Sequence, residues 1–198
     1  MNRFDAFILA GGASRRMGTD KSQLLLEGQT FTERVADTLL QVSSIVTIVG
    51  REIDHPRLNS TLDIYPQWGA LGGVHAALAA ARTEWCLVVA CDLPFVTADL
   101  FTRMATLREN HEAVVPIQQD GRPQPLCSLY RIDPCLRRAT ELIKTGQRRP
   151  VDLLRSVKSR WLAFAELEDL DHAEQFFVNI NTPEDYYEAT RKGAVIQK

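Results

Sequence analysis

The run Leu9-Ala10-Gly11-Gly12-Ala13-Ser14-Arg15-Arg16-Met17-Gly18-Thr19-Asp20-Lys21 concentrates the residue types that handle phosphate. Glycines let backbone N–H groups approach phosphate oxygens with no Cβ in the way, and a loop leaving the carboxyl end of a buried strand is where α/β sheets bind ligands. Arg16 can fork onto two phosphate oxygens and Lys21 adds a compact point charge. Together they can neutralise the β and γ phosphates of a nucleotide as pyrophosphate departs. The run is not a Walker A loop, which needs glycine directly before the lysine where Asp20 stands, and it lacks the GxGxxG spacing.

Two further segments carry matching chemistry. In Ala90-Cys91-Asp92-Leu93-Pro94 an aspartate follows an apolar strand directly, so Asp92 falls on the same sheet edge as the glycine loop. There it is a candidate ligand for a divalent cation, Mg²⁺, that bridges triphosphate oxygens. In Gly69-Ala70-Leu71-Gly72-Gly73, small residues open a helix and permit close approach of a base or ribose at its N-terminus. Asp63, just upstream, can accept from the N1–H and N2 amine of guanine. Cytosine and uracil offer no such donor pair. The glycines can equally serve tight packing.

The elements that must position these residues alternate strand and helix, which predicts a three-layer α/β/α domain. Its Rossmann-like sheet is mainly parallel, with helices on both faces. Residues 6–10, 45–49 and 85–90 read as buried strands. Residues 30–42, 72–81 and 98–110 read as helices, the first with a capping box from Thr30 and Glu33 and the third capped by Thr97. Residues 113–117 and 124–130 read as strands joined through Asp120-Gly121, and 134–145 as a helix. A last strand is expected at 176–180, entering a helix at Thr182-Pro183. No repeat or linker composition divides residues 1–198, so one domain is expected.

Composition bounds the rest. A net charge of −2 argues against broad nucleic-acid binding, and no apolar run reaches the roughly 20 residues of a membrane span. With no signal pattern at Met1, a soluble, cytoplasmic protein is expected. Positive charge nonetheless clusters at Arg15, Arg16 and Lys21 and again at Arg137, Arg138, Lys144, Arg148 and Arg149. The second group suits either an anionic ligand or a solvated face. Cys86, Cys91, Cys127 and Cys135 have no CxxC spacing, and Cys86 and Cys127 read as buried thiols. His55, His75, His111 and His172 fall in no motif.

LAGG, RMG, Lys21, GALGG, CDLP, GRPQPL and FVNINTPEDY, in that order along nearly the whole chain, resemble the molybdenum cofactor guanylyltransferase (MobA-type) family. The resemblance implies a nucleotide-diphospho-sugar transferase-like fold and transfer of GMP from Mg-GTP to the terminal phosphate of molybdenum-loaded molybdopterin, with release of pyrophosphate. It implies nucleotide contacts at Leu9, Ala10, Gly11, Arg16, Lys21, Asp63 and Asp92, with Asp92 also the metal ligand; Gly12 of the loop and Gly72 at the helix start are read with them as nucleotide-binding, and Arg16, Lys21 and Asp92 as catalytic. Acceptor contacts then fall to Arg122, Gln124 and Pro125 of GRPQPL and to Asn179 and Asn181 of NINTP, although the asparagines can also cap a helix or tie a turn. GTP and molybdopterin are the implied partners, with molybdoenzymes or other cofactor-biosynthesis proteins met transiently. Ile48 and Gly50 stand where relatives can carry asparagine, and Trp68 and Ala70 replace a small residue and proline. Trp68 can therefore stack on a base or pterin, or cap the edge of the core. Rival readings are a cytidylyltransferase for the same pterin, a sugar-phosphate nucleotidyltransferase, and a nucleotide-binding cofactor chaperone without turnover.

Overall fold

The computed structural model describes residues 4–10, 25–26, 28–180 and 185. Apolar runs whose side chains alternate between two faces build the centre of one main sheet, with polar strands at its two edges. It consists of β1 (Asp5–Leu9), β4 (Val46–Val49), β5 (Asn59–Thr61), β6 (Trp85–Ala90), β7 (Ala113–Pro116), β8 (Cys127–Arg131) and β9 (Ser159–Leu162). Two-residue strands β2 (Leu25–Leu26) and β3 (Gln29–Thr30) form a separate small hairpin. The main sheet runs β5-β4-β1-β6-β8-β7-β9. Only β8 is antiparallel to its neighbours.

Helices α1 (Phe31–Leu39) and α3 (Ala98–Thr106) cover one face, and α2 (Gly69–Ala80), α4 (Ile132–Lys144) and α5 (Pro150–Ser156) cover the other. Strand side chains divide between them with a period of two: Ala6 and Ile8 join Val35, Leu39 and Phe101, whereas Phe7 and Leu9 join Leu71, Val74 and Leu142. Full burial of each Leu, Ile or Phe in these layers is worth ~1.5–3 kcal/mol, which fixes the face of the sheet that each strand residue occupies.

Local signals hold at several boundaries. Thr30 accepts from the Glu33 N–H at 3.2 Å while Glu33 accepts from the Thr30 N–H at 2.8 Å, completing the capping box of α1. That backbone contact is the main reason the Glu33 carboxyl lies below its ordinary range. Thr97 caps α3. Helix α3 ends at Thr106, short of the expected Asn110, which sits in the left-handed region at φ 59°.

The C-terminal third corrects the sequence reading. Residues 176–180 are not a strand. After a single 3-10 turn at Ala173–Gln175, the Phe176 N–H donates to Ala173 and the Val178 N–H to Gln175, while the Ile180 N–H crosses to Asp92. Another 3-10 turn spans Phe164–Glu166. The edge strand is instead β9, whose Ser-Arg-Trp-Leu sequence shows no apolar run because only Leu162 is buried. Helix α5, which precedes it, begins on Pro150 and was also unmarked by periodicity.

Candidate active site

Four parallel strands, β5, β4, β1 and β6, end on one sheet edge, and chain direction reverses its progress between β1 and β6. Such a switch point opens a crevice beyond the carboxyl ends of the strands. The strand ends are stitched together there. The Ala10 N–H donates to Val49 at 3.1 Å, the Cys91 N–H to Leu9 at 3.2 Å and the Ala90 N–H to Leu126 at 2.7 Å. Because β8 runs backwards, the turn before it, Gln124-Pro125-Leu126, lies on this same edge, as does the segment following β9.

Of the expected nucleotide residues, Leu9, Ala10, Asp63, Gly72 and Asp92 meet on this edge, whereas Gly11, Gly12, Arg16 and Lys21 lie outside the described residues. Asp63 follows β5 and turns inward between exposed Leu62 and Ile64. Its Oδ1 is buried and, among the described residues, accepts no hydrogen bond; burial alone raises the carboxyl above its ordinary range. A Cβ placed on Gly73 would stand 3.8 Å from that oxygen and 3.2 Å from a methyl of Leu9. Asp63, Gly73 and Leu9 therefore wall one small space. Gly72 has a packing reason of its own, since a Cβ there would meet the Tyr65 carbonyl oxygen at 2.6 Å and Trp68 Cβ at 3.2 Å.

Trp68 precedes α2 and packs against the core, with the Arg148 guanidinium 4.9 Å over its ring. Arg148 also donates to the Gln67 carbonyl at 3.2 Å. The ring is thus a core-edge residue clamped by the α4–α5 connection. The remaining basic residues of that cluster with visible partners serve their own helices, Arg138 with Glu141 and Arg149 with Asp152. Behind Tyr65, the buried His75 ring meets it edge-on and bonds Thr140 through Nε2 at 3.0 Å, while burial lowers its pKa.

The expected acceptor residues that are described fall in the β7–β8 loop and beside Asp92. Gly121, at φ 84°, turns the β7–β8 loop. The Arg122 guanidinium clasps Asp120 at 2.6 Å, which pushes that carboxyl down to about 2. The Gln124 side chain donates to Gln118, its N–H donates to Pro116, and Pro125 accepts from the buried Tyr130 hydroxyl at 2.6 Å. The two halves are joined at Asp92, whose carbonyl accepts the Ile180 N–H at 3.3 Å. Ile180 is buried with Leu26 and Phe31, so exposed Asn179 is fixed beside Asp92. Asn181 lies outside the described residues.

The cysteines are free, and Cys86, Cys127 and Cys135 are buried, with burial pushing the Cys135 thiol up to about 12. Among the described residues no three His, Cys, Asp or Glu side chains converge as a metal cage, and no helix is long and apolar enough to cross a membrane.

Residues 6–161 match the family model described as the MobA-like NTP transferase domain. The chain belongs to this family. A curated relative from Pelotomaculum thermopropionicum, named probable molybdenum cofactor guanylyltransferase, is 34% identical over 186 residues, spanning 92% of this chain and 89% of its own. Another from Desulfosudis oleivorans, named molybdenum cofactor guanylyltransferase, is 31% identical over 198 residues, with 96% and 95% covered. Among solved structures, molybdopterin-guanine dinucleotide biosynthesis protein A from Archaeoglobus fulgidus has a TM-score of 0.80 at 24% identity, covering 96% of this chain and 99% of that one. The 2-C-methyl-D-erythritol 4-phosphate cytidylyltransferase from Thermus thermophilus has a TM-score of 0.71 at 17% identity over 97% and 99%. These two likenesses establish the nucleotide-diphospho-sugar transferase-like fold, and family membership makes the chain a nucleotidyltransferase.

The glycine segment named from the sequence holds both Gly72 and Gly73, and adjacent glycines carry no sign of which one faces the carboxylate. Sequence reasoning missed the Arg148–Trp68 clamp and the Asp120–Arg122 pairing. The latter was legible, because an Asx turn with a basic residue two positions on is a local signal.

Proposed function

We propose that this enzyme transfers GMP from GTP to the terminal phosphate of molybdopterin carrying molybdenum, releasing pyrophosphate. The observation that carries the guanine assignment is the buried, unbonded Oδ1 of Asp63 beside Gly73 and Leu9. A buried carboxylate oxygen without a partner is costly unless a ligand supplies the donor, and the guanine N1–H and N2 amine are donors of the right kind. The names of the curated relatives support the same reading.

In this mechanism the N-terminal half, with Leu9, Ala10, Gly11, Gly12, Asp63 and Gly72, holds the nucleotide. Arg122, Gln124, Pro125, Asn179 and Asn181 face the acceptor. An acceptor phosphate oxygen attacks the α-phosphorus in line. A bond forms between them, the bond from the α-phosphorus to the α–β bridging oxygen breaks, and its electron pair leaves with pyrophosphate. Arg16 and Lys21 stabilise the charge gathering on the leaving group. The nucleophile is already ionised, so no general base is required.

Asp92 fits a role as magnesium ligand. The ion commonly takes one or two protein carboxylates and completes its shell with phosphate oxygens and water, and Asp92 is a half-buried carboxylate on this edge. Bound magnesium supplies charge stabilisation on the triphosphate oxygens. The test is label transfer from α-labelled and γ-labelled GTP. The α-label should appear in the pterin product and the γ-label in pyrophosphate; γ-label in the pterin would show phosphorylation instead and refute GMP transfer.

A further inference from the structure

Between the β7–β8 loop and the segment after β9 lies an open cleft of about 440 Å³, lined by Gln118, Asp120, Phe164, Glu174, Phe177 and Val178 among others. Its volume is in the range of small-molecule sites. Phe164 and Phe177 pack on the core from the rim, Phe177 edge-on to buried Phe176 at 6.1 Å, so the aromatic floor is braced. Val178 lies two residues from Ile180, whose N–H is bonded to Asp92. Chain reach therefore puts this wall within roughly 12 Å of the Asp92 backbone.

The two carboxylates in the cleft are not equivalent. Asp120 already accepts from the Arg122 guanidinium and backbone and from Gln118, and Gln118 in turn accepts from Gln124. That wall is internally satisfied. Glu174 is exposed on a 3-10 turn and, among the described residues, meets only its neighbour Gln175, at 3.2 Å. It is the carboxylate available to a ligand carrying adjacent N–H donors. Braced aromatic rings and a carboxylate open to donors together suit a flat, fused heterocycle with an N–H edge.

We propose that this cleft receives the pterin ring system of the acceptor, with Glu174 accepting from its 2-amino and N3–H edge and Phe177 packing against the ring. The assignment rests on the acceptor being molybdopterin, as proposed above. It orients the acceptor with the ring beneath the β7 and β9 ends and its phosphate toward Asp92.

The test measures acceptor and GTP kinetics in wild type, Glu174→Gln and Phe177→Leu, alongside fluorescence quenching of 6-hydroxymethylpterin by each protein. Losing a charge-assisted hydrogen-bonded pair should raise the acceptor KM about tenfold or more in Glu174→Gln while the GTP KM stays within twofold, and should weaken pterin quenching in parallel. Phe177→Leu keeps the apolar packing, so a smaller rise of about threefold is expected in a folded protein. Wild-type transfer with unchanged acceptor KM in both variants overturns the cleft assignment and leaves the proposed reaction standing. Absence of transfer to molybdopterin by wild type refutes the reaction; the cleft then stands only if wild type quenches the pterin and Glu174→Gln does not, and it falls if wild type fails to quench.

Discussion

Replacing Asp63 with Asn should weaken GTP use while making the protein more stable. Among the described residues no donor reaches one buried carboxylate oxygen of Asp63, so the free protein carries a desolvation cost that the proposed guanine contact would relieve. The side chain is half-buried, which keeps that cost near the low end of the usual 1–3 kcal/mol for an unsatisfied group, or ~1 kcal/mol. An amide of the same shape removes the charge and should raise the unfolding free energy by about that amount. Bound guanine loses charge-assisted bonds worth ~1.5–3 kcal/mol, which corresponds to roughly 10- to 150-fold in kcat/KM. The pH dependence has a definite sign. Burial raises the folded carboxyl above 3.8, so the folded state holds this proton more tightly than the unfolded chain. Its contribution to stability is fully present below the unfolded pKa and is lost as pH rises through the folded one. The stability gain of Asp63→Asn should consequently appear at neutral pH and shrink toward pH 3.8. Urea unfolding at several pH values, paired with pyrophosphate release from GTP and from ITP, which lacks the N2 amine, reads both effects. A folded Asp63→Asn enzyme that keeps the wild-type GTP-over-ITP ratio refutes the reasoning.

Asp92→Ala should fold normally yet lose turnover by several orders of magnitude, measured as pyrophosphate release with magnesium present; near-normal activity removes Asp92 from the mechanism. Removing the Asn181 side chain should raise the acceptor KM and spare GTP binding, and calorimetry with GTP showing the opposite would exchange the roles of the two halves. Arg148→Ala should unclamp Trp68 and raise the GTP KM several-fold, in line with a cation–π contact of ~0.5–2 kcal/mol, whereas an unchanged KM would confine the clamp to stability. Burial lowers the His75 pKa, so the folded chain holds a ring proton less tightly than the unfolded chain, whose imidazole titrates near 6.5. Stability should fall as pH drops below 6.5, and His75→Leu should flatten that slope in urea titrations.

The first half of the fold was legible because its signals are local and strong. Residues 85–90 are buried on both sides and read as an uninterrupted apolar strand, and Thr30 with Glu33 forms the capping box that their spacing announces. The second half depends on tertiary context. The apolar run at 176–180 resembles a strand, yet β9 already occupies the sheet edge, so Phe176 and Ile180 are buried one at a time from a turn. Strand β9 is polar because it has a single partner strand. In the site, Asp92 was readable from its position after an apolar strand and Asp63 from its place just before the glycine-rich helix start, whereas β5, the polar Asn-Ser-Thr strand that carries Asp63, gave no apolar signal and Glu174 and Phe177 belong to a wall that exists only once residues 163–178 fold back beside the β7–β8 loop.

Nucleotide selection puts the guanylyl-transfer reading most at risk. Pyrophosphate release should be measured with GTP, CTP, ATP and UTP in turn, at saturating molybdopterin and magnesium. The Asp63 carboxylate predicts release with GTP far above the other three. Preferential release with CTP, or with a sugar phosphate in place of the pterin, would contradict it.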